Sequence, residues 1–339
     1  MSSISVNTIT DASGGATTSI NGFTPTVSNM AGRNRIINGD MRIDQRNAGA
    51  SVTGISASTY TLDRWKLDIG GTGTFTMQQS TSAPAGFSNS LSLTCTSATA
   101  SPGVMYLEQK IEGFNLSDFA FNTASAATFT ISFWVKSNKT GTYVVLPYNT
   151  SATRMIGKTY TINSANTWEQ KTLTFVGDTA AAIPNSNANG LEIRFWLAAG
   201  STWSSGTLPS TWASDVTANE AAGQTVNLAD TTSNTFYITG VQLEEGSVAT
   251  PFEHRQYGQE LALCQRYYET YTSTGVYYVA VSVGNYPRVN GTWLVSKRTN
   301  PTTIVPAGWS IGGRVNHYEG YYNATADTYF PSFSADAEL

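Results

Sequence analysis

From Arg35 to His254 the chain reads as eight short runs in which apolar residues alternate with Ser, Thr, Gln or charged residues: TFTMQQ (74–79), LSLTCT (91–96), VMYLEQK (104–110), TFTISFWVK (128–136), TYVVLPYN (142–149), KTLTFV (171–176), LEIRFWLA (191–198) and TFYITGVQLEE (235–245). Successive side chains of a strand point to opposite faces, so this period places each apolar set on one face that must be buried against a second layer. Between the runs lie Gly, Pro, Asn and Ser clusters such as SAPAGFSN (82–89) and GDTAAAIPNSNANG (177–190), which favour turns over helix. Eight strands of this length with long loops predict a mostly β fold, a jelly-roll-like antiparallel β-sandwich occupying 35–254.

The flanks have a different texture. Residues 1–34 hold twelve Ser/Thr, four Gly and four Asn with one acid and one base, too little apolar matter to fold alone. We expect an extended N-terminal arm whose β-prone pieces, Ile4 to Ile9 and Phe23 to Val27, add to another subunit's sheet edge, with a frayed terminus as the alternative. At 255–271, RQYGQELALCQRYYETY spaces Tyr257, Leu261, Cys264, Tyr268 and Tyr271 by 4, 3, 4 and 3, the spacing of a heptad seam on a short helix linker. Two heptads are short for a coiled coil, so pairing with copies of itself and docking on its own domain both stand as readings. GVYYVAVSV (275–283), TWLVSKR (292–298), TIVPAGWSI (303–311) and RVNHYEGYY (314–322) predict a smaller C-terminal β domain over 272–339. Eleven of the 17 Tyr fall between Tyr257 and Tyr329, which points to an interface or a binding surface there, because Tyr offers apolar area with a polar handle.

Only 12% of the residues are charged and the net charge is -4, which leaves neither an acidic tail nor a basic stripe for nucleic acid. The longest apolar run, Val276 to Val283, falls far short of the ~20 residues of a membrane helix, and the N-terminus lacks the basic and apolar regions of a secretory signal. Neither membrane insertion nor that route of export is expected. Cys95 and Cys264 stand in no CxxC or Cys/His cluster and read as buried thiols. With His254 and His317 as the only histidines, no metal, no cofactor and no nucleophile–base pair is indicated. Glu108 with Glu112, or Glu192, is formally available for glycoside hydrolysis, and Asp178 or Asp215 for calcium, but no motif accompanies either, and the chain reads as non-enzymatic.

Aromatic residues that break the strand phase carry the binding argument. In TFTISFWVK, Phe129, Ile131, Phe133 and Val135 share one face and Trp134 falls on the other; in LEIRFWLA, Trp196 falls opposite Leu191, Ile193, Phe195 and Leu197. An indole on a polar sheet face can stack on a sugar ring, pack under a loop or meet a neighbouring subunit, and all three readings stand. The loop GSTWSSGTLPSTW (200–212) adds Trp203 and Trp212, and the C-terminal domain adds Trp293 and Trp309, either as further carbohydrate contacts or as loop anchors.

Four stretches, INGFTPTVSNMAGRNRIINGDMRIDQRNAGASV (20–52), TLDRW (61–65), GVQLEEGSVATPFEHRQYGQELALCQRYYE (240–269) and the terminal FSADAEL, together resemble fibre-like virion structural proteins of tailed bacteriophages. The resemblance covers the arm, both edges of the sandwich and the last strand, and leaves the central strands and the loop of Trp203 and Trp212 unmatched. It implies a tail-fibre or appendage subunit, a homotrimer with host-facing β domains, whose residues 1–34 dock on other virion proteins. No receptor residue is carried over. The expected function is that of a non-enzymatic fibre subunit, assembled in the host cytoplasm and located in the virion, that attaches to host-surface polysaccharide. A head fibre or capsid decoration protein without a receptor role is the alternative, and a polysaccharide depolymerase a further one.

Overall fold

The computed structural model describes residues 32–271, 277–278, 288–322, 328–329 and 332–339. The arm before Gly32, with the strands expected at Ile4 to Ile9 and Phe23 to Val27, lies outside the described residues, as does most of GVYYVAVSV. Fourteen strands build the sandwich: β1 (Val52–Ile55), β2 (Thr59–Leu62), β3 (Trp65–Gly70), β4 (Thr74–Ser80), β5 (Ser90–Ser97), β6 (Val104–Glu112), β7 (Phe129–Ser137), β8 (Gly141–Asn149), β9 (Arg154–Met155), β10 (Lys158–Ile162), β11 (Glu169–Phe175), β12 (Asn189–Ala199), β13 (Ala213–Ser214) and β14 (Thr235–Glu245). The eight runs of 35–254 are all strands, and short additional ones widen the sheets; of the C-terminal runs, TWLVSKR forms no strand beyond Thr292. One sheet has the order β1-β4-β5-β14-β7-β11; the other runs β13-β9-β8-β12-β6-β3-β2 with β10 beside β8. All pairings are antiparallel, as the jelly-roll-like reading requires.

The alternation of each run is what closes the two layers. Phe129, Ile131, Phe133 and Val135 of β7 are fully buried, as are Leu191, Ile193 and Phe195 of β12 across the interlayer space. Phe133 meets Phe195 edge-on at 5.1 Å and Tyr160 at 5.1 Å, so aromatic rings tie the sheets together, while Phe129 stacks at 5.4 Å on its neighbour Phe175 within one sheet.

Residues 32–46 do not belong to a free arm. Asn34 is buried, donates to the Val241 carbonyl and accepts from the amides of Ile36 and Leu243, and the amides of Gly32 and Asn34 donate to Glu253. Asn38 is fully buried: its side chain donates to the carbonyls of Ile43 and Asp63, and its carbonyl accepts from the Trp65 indole. Gln109 satisfies both the amide and the carbonyl of Ile37 at 2.8 Å. The side-chain amides of Asn34, Asn38 and Gln109 all find partners, which helps so polar a segment run through the interior.

That segment is gripped from the C-terminal side. Helix α2 (Tyr257–Gln265) follows a first short helix, α1 (Ser201–Ser204), in the chain. Its Glu260 accepts from the Asn38 amide and pairs with Arg255, while Cys264 packs with Ile37, Ile43 and Tyr267. Beyond it come β15 (Tyr268–Tyr271), β16 (Tyr277–Tyr278), β17 (Arg288–Thr292), β18 (Thr302–Ile304), β19 (Trp309–Gly313), β20 (His317–Tyr322), β21 (Thr328–Tyr329) and β22 (Phe333–Asp336). They form small sheets of order β15-β22-β18, β17-β20-β19 and β16-β21. Their core is Trp293, Trp309, Ile311, Tyr318, Phe333 and Ala335. Arg64, in the turn after β2, is fully buried; it pairs with Glu338 and lies 3.5 Å over the Tyr267 ring. Arg46 pairs with Asp336 at 2.9 Å and with Glu338 at 3.3 Å. The stretches 20–52, 61–65, 240–269 and 333–339 singled out in the sequence thus meet, through their described residues, at one polar junction.

The helix seam needs correcting. The helix ends at Gln265, and Tyr268 and Tyr271 belong to β15, paired with β22. Arg266 is held bidentate by Glu112 at 2.8 Å, and the Ala337 amide donates to the Tyr267 carbonyl, so the chain leaves the helix for a sheet. Cys264 is buried, Leu261 packs on the Ile37 cluster and Tyr257 is 57% exposed, so the five residues share no continuous outward face. This helix docks on its own sandwich.

Candidate functional site

The outer face of the six-stranded sheet is built by residues that the core rejects. With Phe236 and Ile238 of β14 and Phe133 and Val135 of β7 pointing inward, Tyr237, Thr239, Ser132, Trp134 and Lys136 point outward. The register aligns them in rows: Tyr237 opposite Lys136, then Thr239, Trp134 and Gln170, then Gln242, Ser132 and Thr172. On the other flank Ser92 lies opposite Tyr237 and Gln78 opposite Ser92. Trp168, immediately before β11, continues the row of Lys136, and its ring meets that of Tyr237 at 6.2 Å and 69°. The Lys136 ammonium sits 4.2 Å from the Tyr237 ring and 5.2 Å from the Trp168 ring and donates to Ser82 at 2.7 Å.

Two loops cross the remainder of this face. Thr239 donates to the Asn89 carbonyl, Phe87 packs on Phe252 and His254, and Gln242 donates to Thr250. Gly240, at φ 60°, lies beneath Phe87; a Cβ there would come within 2.6 Å of the ring, so the close crossing requires glycine. What stays open is a corner of half-buried aromatic rings, Trp134, Trp168 and Tyr237, set among Gln170, Thr172 and Ser92.

The outer face of the eight-stranded sheet is of another kind. Arg194 pairs with Glu192 at 2.6 Å and Glu220 at 2.7 Å and lies 4.1 Å over the Tyr148 ring. Lys66 bridges Asp68 and Glu108, and Lys110 lies 3.7 Å from Glu108 and 3.8 Å from Glu192. Burial pushes Glu220 up to about 7, against the pull of Arg194, and raises Glu108, helped by the Glu192 charge. Burial and Asp215 push Tyr148 up to about 12. Glu108, Glu112 and Glu192 are nearly fully buried and each faces a lysine or arginine, so this face is an internal ion network and offers no open carboxylate pair.

Of the six indoles expected to bind sugar, Trp134 alone stands on an open sheet face. Trp196 has no exposed surface; it lies under Trp203, 5.7 Å away, and beside Tyr106 at 5.0 Å, because the 200–222 loop folds over it. Trp203 is therefore half of a packed pair. Trp212 donates to the Val176 carbonyl at 2.7 Å and packs on Phe121, a loop anchor. Trp293 and Trp309 are buried in the C-terminal core, Trp293 donating to the Arg314 carbonyl at 2.7 Å. Sequence reasoning missed Trp168, Lys136 and Tyr237. Tyr237 breaks phase between Phe236 and Ile238 as Trp134 does, and that signal was present; Trp168 lies in a loop and gives none.

No protein-family model matches the sequence, and no curated protein matches it. Among solved structures, the enzymatically active domain of tailspike protein 4 of bacteriophage CBA120 matches with a TM-score of 0.33 and 13% identity, over 63% of this chain and 21% of that one. A xylan-binding domain of carbohydrate-binding module family 22 matches with a TM-score of 0.31 and 13% identity, over 60% of this chain and 99% of that one. A family 61 module in complex with β-1,4-galactotriose matches with a TM-score of 0.31 and 8% identity, over 63% and 99%. Likeness at these scores bears on no residue or ligand of the present chain.

Proposed function

We propose that this chain is a non-enzymatic, carbohydrate-binding subunit of a phage virion fibre, with its binding face at Trp134, Trp168 and Tyr237. The observation that carries the binding reading is the make-up of that corner: three half-buried rings on a face of Ser, Thr and Gln. Sugar rings present apolar C–H faces edged with hydroxyls, and a flat ring beside uncharged hydrogen-bonding groups complements both. The fibre reading is supported by the sequence resemblance, whose residues build the junction at the root of the arm. The non-enzymatic reading is supported by the acids of the eight-stranded sheet, which are engaged in ion pairs.

The test is glycan binding by the full chain and by Trp134→Ala/Trp168→Ala. Loss of about tenfold in affinity per ring is expected, the equivalent of ~1.4 kcal/mol each, with an unchanged melting temperature. An intact protein that binds no glycan at millimolar ligand would remove the carbohydrate reading. The same corner suits a contact between copies of the subunit. That second reading is favoured if the double variant loses oligomer mass while glycan binding is absent.

A further inference from the structure

Lys136 is the unusual member of the corner. Lys66, Lys110, Lys139, Lys171 and Lys297 each face a carboxylate, whereas Lys136 and Lys158 are the described lysines that do not. Lys136 is held between two aromatic rings and makes one hydrogen bond, to Ser82. An ammonium carries three donors, so donor capacity remains. The neighbouring outward positions, Gln78, Ser92, Thr94, Thr239, Trp134, Ser132, Gln170 and Thr172, carry no charge. Glu244, at the far end of β14, is taken up by Thr250 and by Gln242. Burial lowers the Lys136 pKa with no acid to offset it, a cost that an arriving anion would relieve.

Resting on the carbohydrate reading of the same corner, we propose that the face selects acidic polysaccharide, a chain bearing sugar carboxylates, with a carboxylate at Lys136 Nζ and a sugar ring on Trp134. The rings on either side of the ammonium fix its position without neutralising it, so the charge is presented outward.

The experiment compares polygalacturonate with the same polymer fully methyl-esterified, which keeps the backbone and removes the charge. The full-length protein is expected to bind the acidic polymer at least about tenfold more tightly, with the preference shrinking as salt rises from about 50 to 200 mM. Lys136→Met is expected to bind both forms equally, near the affinity of the wild type for the ester, with its melting temperature retained. Equal binding of both polymers by the wild type, or a preference that survives in Lys136→Met, would overturn the acidic selectivity while leaving the carbohydrate reading intact. Binding of neither polymer, nor of any glycan on an array, would overturn both.

Discussion

Glu220 shows how a single side chain couples this fold to pH. Its carboxyl is buried beside Arg194 and is pushed up to about 7, above the ~4.3 of a free glutamate. The native state therefore binds the proton that the unfolded chain releases between those values. Stability is greatest below the unfolded value and falls as pH rises through about 7. Asp63, pushed up to about 6 by burial, acts in the same direction over a lower window. Chemical denaturation from pH 4.5 to 7.5 should show stability declining with pH in the wild type and a shallower decline in Glu220→Gln. An unchanged slope would mean that Glu220 is solvated in solution. At this scale the sequence was half legible. Period two assigns the inward Phe133 and the outward Trp134 without further information, yet the same rule sends Trp196 outward, and only the 200–222 loop, folding back over it, decides that it is buried. Lys136 gave no sign, since its meaning depends on the absence of a partner, which no local pattern records.

At the level of elements, α2 teaches the clearest lesson. A 4, 3, 4, 3 spacing of apolar residues is the mark of one helix face, but it cannot say where the helix stops. What stops it is the grip of Glu112 on Arg266 and the pairing of β15 with β22, a strand more than sixty positions downstream. The seam is therefore divided between a helix and a sheet. Leu261→Asp should cost roughly 1–3 kcal/mol of stability, because it sets a charge against the Ile37 cluster, while light scattering should give the same mass as the wild type. A fall in mass would restore the helix as a subunit contact. The strands of the sandwich were readable because each carries its own alternation. Short members such as β9 and β13, two residues each, carry none and exist only because a neighbouring edge pairs with them.

For the molecule as a whole, residues 32–46 are fixed more deeply than their composition suggests. Arg33 and Asn34 bond within the folded body, so the truncation that tests the proposed docking arm removes residues 1–31 and starts the chain at Gly32. A chain of residues 32–339 should keep the melting temperature and the number of subunits of the full protein and, if the proposed docking role of residues 1–31 holds, fail to join particles; its incorporation at normal copy number would overturn that role. The sheet order was beyond the sequence, because it depends on which edges meet and not on any single run.

The polar junction also orders events during synthesis. Arg46 and Asp336 are 290 positions apart, and Arg64 and Glu338 are 274 apart. Until residues 333–339 have left the ribosome, Arg64 has no Glu338 carboxylate and β15 has no β22 to pair with. Contacts of such separation close late and slowly. Both sheets of the sandwich have all their strands once β14 is made, whereas the junction that clamps Arg46 and Arg64 closes only when residues 333–339 return to it.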